Sequence, residues 1–303
     1  MKSIKGTVCL LAASVLWGAA FVAQASVPDT LGSFAFNAAR GIIASLFLLA
    51  VIFIRNRLRK RGNTVYRSPD LRRSVVSGAV CGSILFAAAN LQQFGIASYP
   101  EEAAASGRSG FLTATYVVMV AVYTIIKCRQ IRITVLLSAA GCMVGMYLLC
   151  LAGGPGGIYS GDLLVLLCAA VFGVYVLYVD RCARLDGIII SCVQFAVCGV
   201  LSLAASLLFE HQELSVVASC WLPILYTGIC SSGMGYTLQI IGQKYSEPAA
   251  ASIIMSLESV FAALSGWLLL NERLGAVQIL GCVLMFAAVV VSQLPGKKRI
   301  AGR

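Results

Sequence analysis

Ten long apolar runs constrain what this 303-residue chain can fold into. A helix that crosses a bilayer needs roughly 17 to 25 predominantly apolar residues, and every run meets that length. With 59% hydrophobic and 12% charged residues, the chain has too little polar surface to cover a soluble globule. We therefore expect an all-α integral membrane protein with ten transmembrane helices. They are predicted at residues 7–26, 33–54, 74–98, 103–126, 133–152, 161–180, 187–209, 216–241, 248–270 and 275–294.

The basic residues follow the parity of the loops between these runs. Of the 23 lysines and arginines, all but Arg40, Arg108 and Arg273 lie on the side of the N-terminus, many of them in the linker 55–73. Short loops rich in Lys and Arg stay in the cytoplasm. This predicts a multi-pass protein of the inner or plasma membrane with both termini cytoplasmic. Ala23-Gln24-Ala25 resembles a signal-peptide cleavage site, but nine further spans favour a retained first helix.

The chain also repeats itself after about half its length. Residues 91–123 align with residues 238–272 at an offset of 147 that slips to 146, and Trp17-Gly18 in the first run matches Phe172-Gly173 in the sixth. A chain that repeats in this way is read as two copies of one unit.

The two copies are predicted to have opposite orientations in the membrane. The predicted repeats are residues 1–152 and 153–303, separated at the GGPGG turn 153–157. Five helices per repeat is an odd number, so the second copy enters from the opposite side. Inverted repeats are a common plan for secondary transporters, whose ligand site lies near the membrane midplane.

Several other classes of function lack their signals. Nearly all of the 12 cysteines fall inside apolar runs, without a C-x-x-C pair, and the one histidine, His211, lies in a predicted outer loop, so no metal or other cofactor is expected. No G-x-x-x-x-G-K-[ST] loop is present to bind ATP. The placement of the basic residues argues against nucleic acid as a partner. The expected partners are a small-molecule substrate and the lipid bilayer, and a homodimer remains open.

Four segments of the chain form a recognisable pattern: LWGAAF at 16–21, FNAARGIIASLFLL at 36–49, GFLTATYVVMV at 110–120 and SLESVFAALSGWLLLNERL at 256–274. Together they resemble the EamA branch of the drug/metabolite transporter superfamily. The resemblance implies two inverted five-helix units, with the first four helices of each unit around a cavity and the fifth and tenth outside. It further implies export of small metabolites, often amino acids or related compounds. One departure is Ala121, where family members often carry proline.

Three ionisable residues lie well inside predicted spans: Arg40, Arg108 and Glu258. A charge at a helix centre costs roughly 2.5 to 3.5 kcal/mol even on a lenient scale, so each needs a partner or water. Arg40 is interpreted either as a cavity guanidinium that holds a carboxylate or phosphate, or as a structural residue that snorkels or binds nearby carbonyls.

Arg108 and Glu258 form the more informative pair. Glu258 aligns with Leu112, one helical turn from Arg108, so both charges are expected on the same face of equivalent helices. Their expected levels in the membrane differ by roughly 8 Å, within reach of two extended side chains. One hypothesis makes them a gating or coupling pair, with Glu258 protonated or occupied by substrate in one state. The other makes them a permanent buried ion pair that fixes helix packing.

Further polar and aromatic residues are candidates for the cavity wall. Apolar walls with a few polar groups are typical of small-ligand sites, although each residue by itself also fits a packing role. The candidates are Trp17, Asn90, Gln92, Tyr116, Tyr175, Tyr236 and Gln239.

Three classes of protein compete for this pattern. Inverted repeats and midplane charges favour a secondary transporter, with proton antiport, exchange and facilitated diffusion all open. A membrane enzyme needs a cluster of acids, histidines or a nucleophile near one membrane face, and the sequence offers none. The alternative is a channel-like protein, or one that translocates lipids or nucleotide derivatives, without proton coupling.

Overall fold

The computed structural model describes residues 4–25, 27, 31–61, 70–99, 105–128, 130–151, 158–269, 275–294 and 298–300. This part of the chain is almost entirely helical. Its helices are α1 Ile4–Ala25, α2 Ser33–Arg61, α3 Leu71–Ala97, α4 Ala105–Ala114, α5 Tyr116–Cys128, α6 Ile133–Cys150, α7 Ser160–Arg181, α8 Gly187–Phe209, α9 Leu214–Ser219, α10 Trp221–Tyr226, the π-helix Thr227–Gly235, α11 Tyr236–Gln243, α12 Pro248–Met255, α13 Glu258–Leu269 and α14 Ala276–Gln293.

Eight helices within the described residues are long and apolar enough to cross a membrane. The predicted spans 103–126 and 248–270 are two of these, as 109–127 and 248–269, and α14 contributes a shorter apolar helix. The predicted span 216–241 differs, because three short helices and the π-helix replace one continuous helix there. That segment contains a proline and three glycines, residues that interrupt regular helical hydrogen bonding.

Two of the predicted spans contain a break near their middle. Thr115 separates α4 from α5, and its hydroxyl donates to the carbonyl of Leu112 at 2.6 Å. The hydroxyl of Ser256, in the turn between α12 and α13, donates to the carbonyl of Ile253 at 2.7 Å. Such hydroxyls compete for backbone acceptors and bend helices. As a result, Glu258 becomes the first residue of α13.

The packing of the helices has an internal symmetry. α2 packs on α8 and α6 packs on α14, so equivalent helices of the two halves meet. The contact of α1 with the π-helix and α11 corresponds to the contact of α7 with α3. The contact of α1 with α13 corresponds to the contact of α7 with α4 and α5. Each contact therefore has a counterpart when the two halves are exchanged.

The pair α2 and α8 is joined at both ends. The Glu210 carboxylate accepts hydrogen bonds of 2.8 Å from the backbone N–H groups of Phe34 and Ala35, at the start of α2. At the other end, Arg55 forms a 2.9 Å ion pair with Asp186, the N-cap of α8. Carboxylates satisfy the unpaired N–H groups of a helix N-terminus and complement its dipole. These polar contacts therefore join α8 to α2 at each end of α8.

A short antiparallel ribbon is the one departure from a helical fold in the described residues. β1, Gln130–Arg132, follows α5, and it pairs with β2, Lys298–Ile300. The sequence predicts basic loops at both positions. The pairing brings these two segments together at one end of the bundle.

Candidate functional site

A cavity lies in the middle of the bundle, between the two halves of the chain. Its volume is about 60 Å³, which is room for a few water molecules. α6 and α14 contribute no lining residue, as expected from the family resemblance. The lining residues are Trp17, Ala20, Phe21, Gln24, Arg40, Gln92, Thr113, Tyr116, Phe172, Tyr175, Val176, Ser231, Tyr236, Gln239, Met255 and Glu258.

Most of the predicted site residues meet at this cavity. Eight of the ten candidates are among its lining residues, drawn from helices in both halves of the chain. The two exceptions are Asn90 and Arg108. The side chain of Arg108 lies outside the part of the chain that the structure describes, so its pairing with Glu258 stays a prediction.

Asn90 has a structural position instead. Its carboxamide oxygen accepts a 2.9 Å hydrogen bond from Asn37, and its own amide nitrogen donates to the carbonyl of Phe86 at 2.7 Å. Both asparagines are buried. Asn90 therefore joins α2 to α3. It does not line the cavity, although the sequence predicted that it would.

The carboxyl of Glu258 is the cavity's acidic group. The residue is 9% exposed and begins α13, directly after the break at Ser256 and Leu257. Among the described residues, no hydrogen bond or ion pair engages this carboxyl. The N-terminus of a helix favours a negative charge, and interrupted helices that expose such termini are a feature of transporter sites.

Arg40 is the cavity's basic group. Its guanidinium lies 5.6 Å from the centre of the Phe36 ring, and no described carboxylate pairs with it. The cavity therefore contains one cation and one carboxyl group that are not neutralised by described protein partners. A charge in such a position is expected to meet a ligand, water or a transient partner.

Aromatic side chains form one wall of the cavity. The ring of Tyr236 has edge-to-face contacts with Trp17, Tyr175 and Phe195, at centroid distances of 4.9, 5.9 and 5.2 Å. Such pairs are preferred arrangements of aromatic quadrupoles. The cluster joins α1, α7, α8 and α11, so it couples the two halves at the level of the site.

A few polar groups are positioned around this wall. Gln92 donates a 3.1 Å hydrogen bond to the hydroxyl of Thr113, and Tyr175 donates a 3.0 Å bond to the carboxamide of Gln194. The carboxamide oxygen of Gln239 is buried without a hydrogen-bond partner. Because an unpaired buried polar atom is costly, Gln239 is a candidate to meet a ligand or water.

Half of the lining residues escaped the sequence prediction. Phe172 had a usable signal, since it is the repeat equivalent of Trp17. Thr113 follows Leu112, the equivalent of Glu258, and could have been found in the same way. Val176 and Met255 had no signal, because an apolar residue in an apolar run does not reveal which face it occupies.

Known proteins share the sequence pattern and the fold described above. The model of the EamA-like transporter family matches residues 4–151 and again residues 159–293. An uncharacterized transporter of Archaeoglobus fulgidus is 26% identical over 299 residues, covering 97% of this chain and 87% of that protein. A solved crystal structure shares the fold, with a TM-score of 0.78 at 20% identity, over 97% of this chain and 99% of that one. This multi-pass membrane protein belongs to the EamA-like transporter family.

Proposed function

We propose that the chain is a secondary-active exporter that carries small metabolites across the inner or plasma membrane by alternating access. The observation that carries the proposal is the central cavity, in which Arg40 and Glu258 both lack described protein partners. Transporter sites of this kind lie near the midplane, between two repeats. Soluble substrates need such polar groups to replace the water they leave.

The proposed topology has ten spans in two inverted repeats, with both termini cytoplasmic. The eight long helices leave two segments, the interrupted helix from Leu214 to Gln243 and the shorter α14, which we assign as the remaining spans. The two separate matches to the family model support a duplication, as does the exchange symmetry of the helix contacts. The distribution of Lys and Arg supports the orientation.

We assign amino acids or closely related compounds as the substrate class. A guanidinium binds a carboxylate bidentately, and a carboxyl group complements an ammonium group. The aromatic wall of Trp17, Tyr175 and Tyr236 offers an apolar surface, and aromatic faces also attract cations. A small zwitterion with an apolar side chain fits this set of groups.

Glu258 is proposed to couple transport to protons. A carboxyl in a cavity can release its proton to water when the cavity opens to one side and take one up when it opens to the other. Arg108, one turn from the repeat equivalent of Glu258, is the proposed transient partner. Exchange of substrates without protons requires no such titration.

The proposed function is tested by counterflow in proteoliposomes with a panel of amino acids, nucleobases, nucleosides and small amines. We expect saturable flux of one class in the wild type, and its loss in Glu258→Gln and Arg40→Gln. Glu213→Gln is the matched control, because Glu213 is an exposed acid outside the cavity. Flux that does not saturate would indicate a pore, and equal flux in all variants would remove Arg40 and Glu258 from the mechanism.

A further inference from the structure

Two repeat-equivalent glycines have different surroundings. A methyl group placed on Gly18 would lie 2.5 Å from the Cβ of Phe261 and 2.7 Å from the backbone nitrogen of Ala262. A methyl group placed on Gly173 would lie 3.7 Å from the Cβ of Met119, its nearest neighbour. The first site therefore has no room for a side chain, whereas the second has room for ordinary contact.

The neighbours of these glycines are also related by the repeat. Ala262, beside Gly18, corresponds to Tyr116 at the offset of 146, and the Cβ of Tyr116 would lie 3.9 Å from a methyl group on Gly173. The contact of α1 with α13 and the contact of α7 with α5 are thus two copies of one interface. One copy is closed and the other is looser.

A second pair of equivalent glycine contacts does not differ in this way. A methyl group on Gly6 would lie 3.0 Å from the carbonyl oxygen of Gly242, and one on Gly161 would lie 2.5 Å from the carbonyl oxygen of Gly95. Gly6 is related to Gly161 by the offset of 155 that relates Gly18 to Gly173, and Gly95 is related to Gly242 by the offset of 147. Both of these contacts are closed, one in each repeat.

We infer that Gly18 and Gly173 are positioning residues that exchange roles in the transport cycle. In the alternate conformation, α7 closes on α5 at Gly173 while α1 separates from α13 at Gly18. The contacts of Gly6 with Gly242 and of Gly161 with Gly95 are retained as pivots. This inference rests on the proposed function, because it describes the movement by which the cavity would change sides.

Gly173 lies inside α7, where this conformation gives it no steric need to be a glycine. Glycine inside a helix is unfavourable relative to alanine, and in this conformation the surrounding space accepts a methyl group. A conformation that brings α5 closer to α7 would leave no space for this methyl group and would favour glycine at residue 173. Tyr116, one of the two α5 neighbours of Gly173, also lines the cavity, so closure of this interface would reshape the binding site.

The test compares Gly18→Ala and Gly173→Ala by hydrogen exchange, thermal unfolding and proteoliposome flux. Gly173→Ala is expected to have the melting temperature and the amide hydrogen-exchange rates of the wild type, because this conformation accepts the methyl group. Its flux should be about tenfold lower, because one overpacked methyl group would reduce the population of the alternate conformation by that factor. In Gly18→Ala, the backbone amide hydrogens are expected to exchange faster in α1 and α13 and more slowly in α5 and α7. Both variants make the same change in helix propensity.

Gly110→Ala is the matched control. A methyl group there would lie 3.9 Å from Ser259, and its repeat equivalent is Ser256, which already carries a side chain. Both conformations should accept it, so flux and exchange should stay at wild-type values. Wild-type flux in Gly173→Ala would overturn the inference. It would also be overturned if the hydrogen-exchange rates of Gly18→Ala rose in α1, α13, α5 and α7 alike.

The exchange measurement separates this inference from the proposed function. If the wild type carries no compound of the panel, the proposed function fails, whereas opposite changes of exchange in the two interfaces of Gly18→Ala would still support the inference. If Gly18→Ala does not fold, the flux of Gly173→Ala tests the inference by itself, since a reduced flux supports it and a wild-type flux contradicts it.

Discussion

The indole Nε1 of Trp17 donates a 3.1 Å hydrogen bond to the backbone carbonyl of Ser231, inside the π-helix Thr227–Gly235. A methyl group on Gly235 would lie 2.7 Å from the same nitrogen, so the indole ring rests directly on the π-helix. π-helical segments occur frequently at functional sites. α1, in the first half of the chain, is thereby fastened to the interrupted helix of the second half at the wall of the cavity.

Trp17→Phe should therefore weaken both the fold and transport. The substitution retains an aromatic ring but leaves the Ser231 carbonyl without this donor, at a cost of about 1 kcal/mol in the free energy of unfolding. We expect a lower melting temperature and several-fold slower flux. Trp267→Phe is the control, since Trp267 is 51% exposed on the outside of the bundle. Equal effects of the two substitutions would show that the bond to Ser231 has no special role.

Substitutions of Asn90 and Gln239 should have different effects, the first on stability and the second on substrate binding. Asn90→Ala leaves the buried amide of Asn37 without its acceptor, which costs about 1 to 3 kcal/mol, so the melting temperature should fall while the KM for substrate stays unchanged. Gln239→Ala removes an unpaired cavity group, so KM should rise severalfold with little change in melting temperature. The check is flux at varied substrate concentration together with thermal unfolding. The reverse pattern would place Asn90 in the binding site.

Asp186→Asn should destabilise the protein. Asp186 is 8% exposed and pairs with Arg55, so its removal leaves a largely buried guanidinium unpaired, at a cost of about 3 to 5 kcal/mol. Asp70→Asn is a matched control, because Asp70 also caps a helix and pairs with an arginine, Arg73, but at an exposed position. Exposed pairs contribute about 0 to 1 kcal/mol. Similar losses of melting temperature in both variants would contradict this prediction.

Lys244 should make stability depend on alkaline pH. It follows α11 and donates a 2.5 Å hydrogen bond to the carbonyl of Leu185, and burial lowers the pKa of its ammonium group, partly opposed by Asp186. Because the folded pKa is below the unfolded value of about 10.5, the unfolded chain binds more protons between the two values. Stability should therefore rise with pH in the window just below 10.5. Lys244→Gln should reduce this rise in melting temperature, and an unchanged profile would exclude Lys244 as its source.

The positions of most helices could be predicted from the sequence, because a span across hydrocarbon must be long, apolar and internally hydrogen-bonded. The run 187–209 coincides with α8, Gly187–Phe209. The breaks at Thr115 and Ser256 could not be predicted, since they depend on hydroxyls that bond to their own backbone, a local choice that apolar content does not record. The π-helix Thr227–Gly235 could not be predicted either, because apolar content does not distinguish it from an α-helix.

The sequence by itself determined which polar residues had to find a use, because a charge or amide in an apolar span is costly wherever it lies. Arg40, Glu258 and the repeat-related Gln92 and Gln239 were identified for that reason, and all four line one cavity. Only the tertiary structure decided that Asn90 pairs with Asn37 instead, and that apolar residues such as Met255 complete the wall. Those outcomes depend on which faces of distant helices meet, and a sequence of uniformly apolar spans contains no such information.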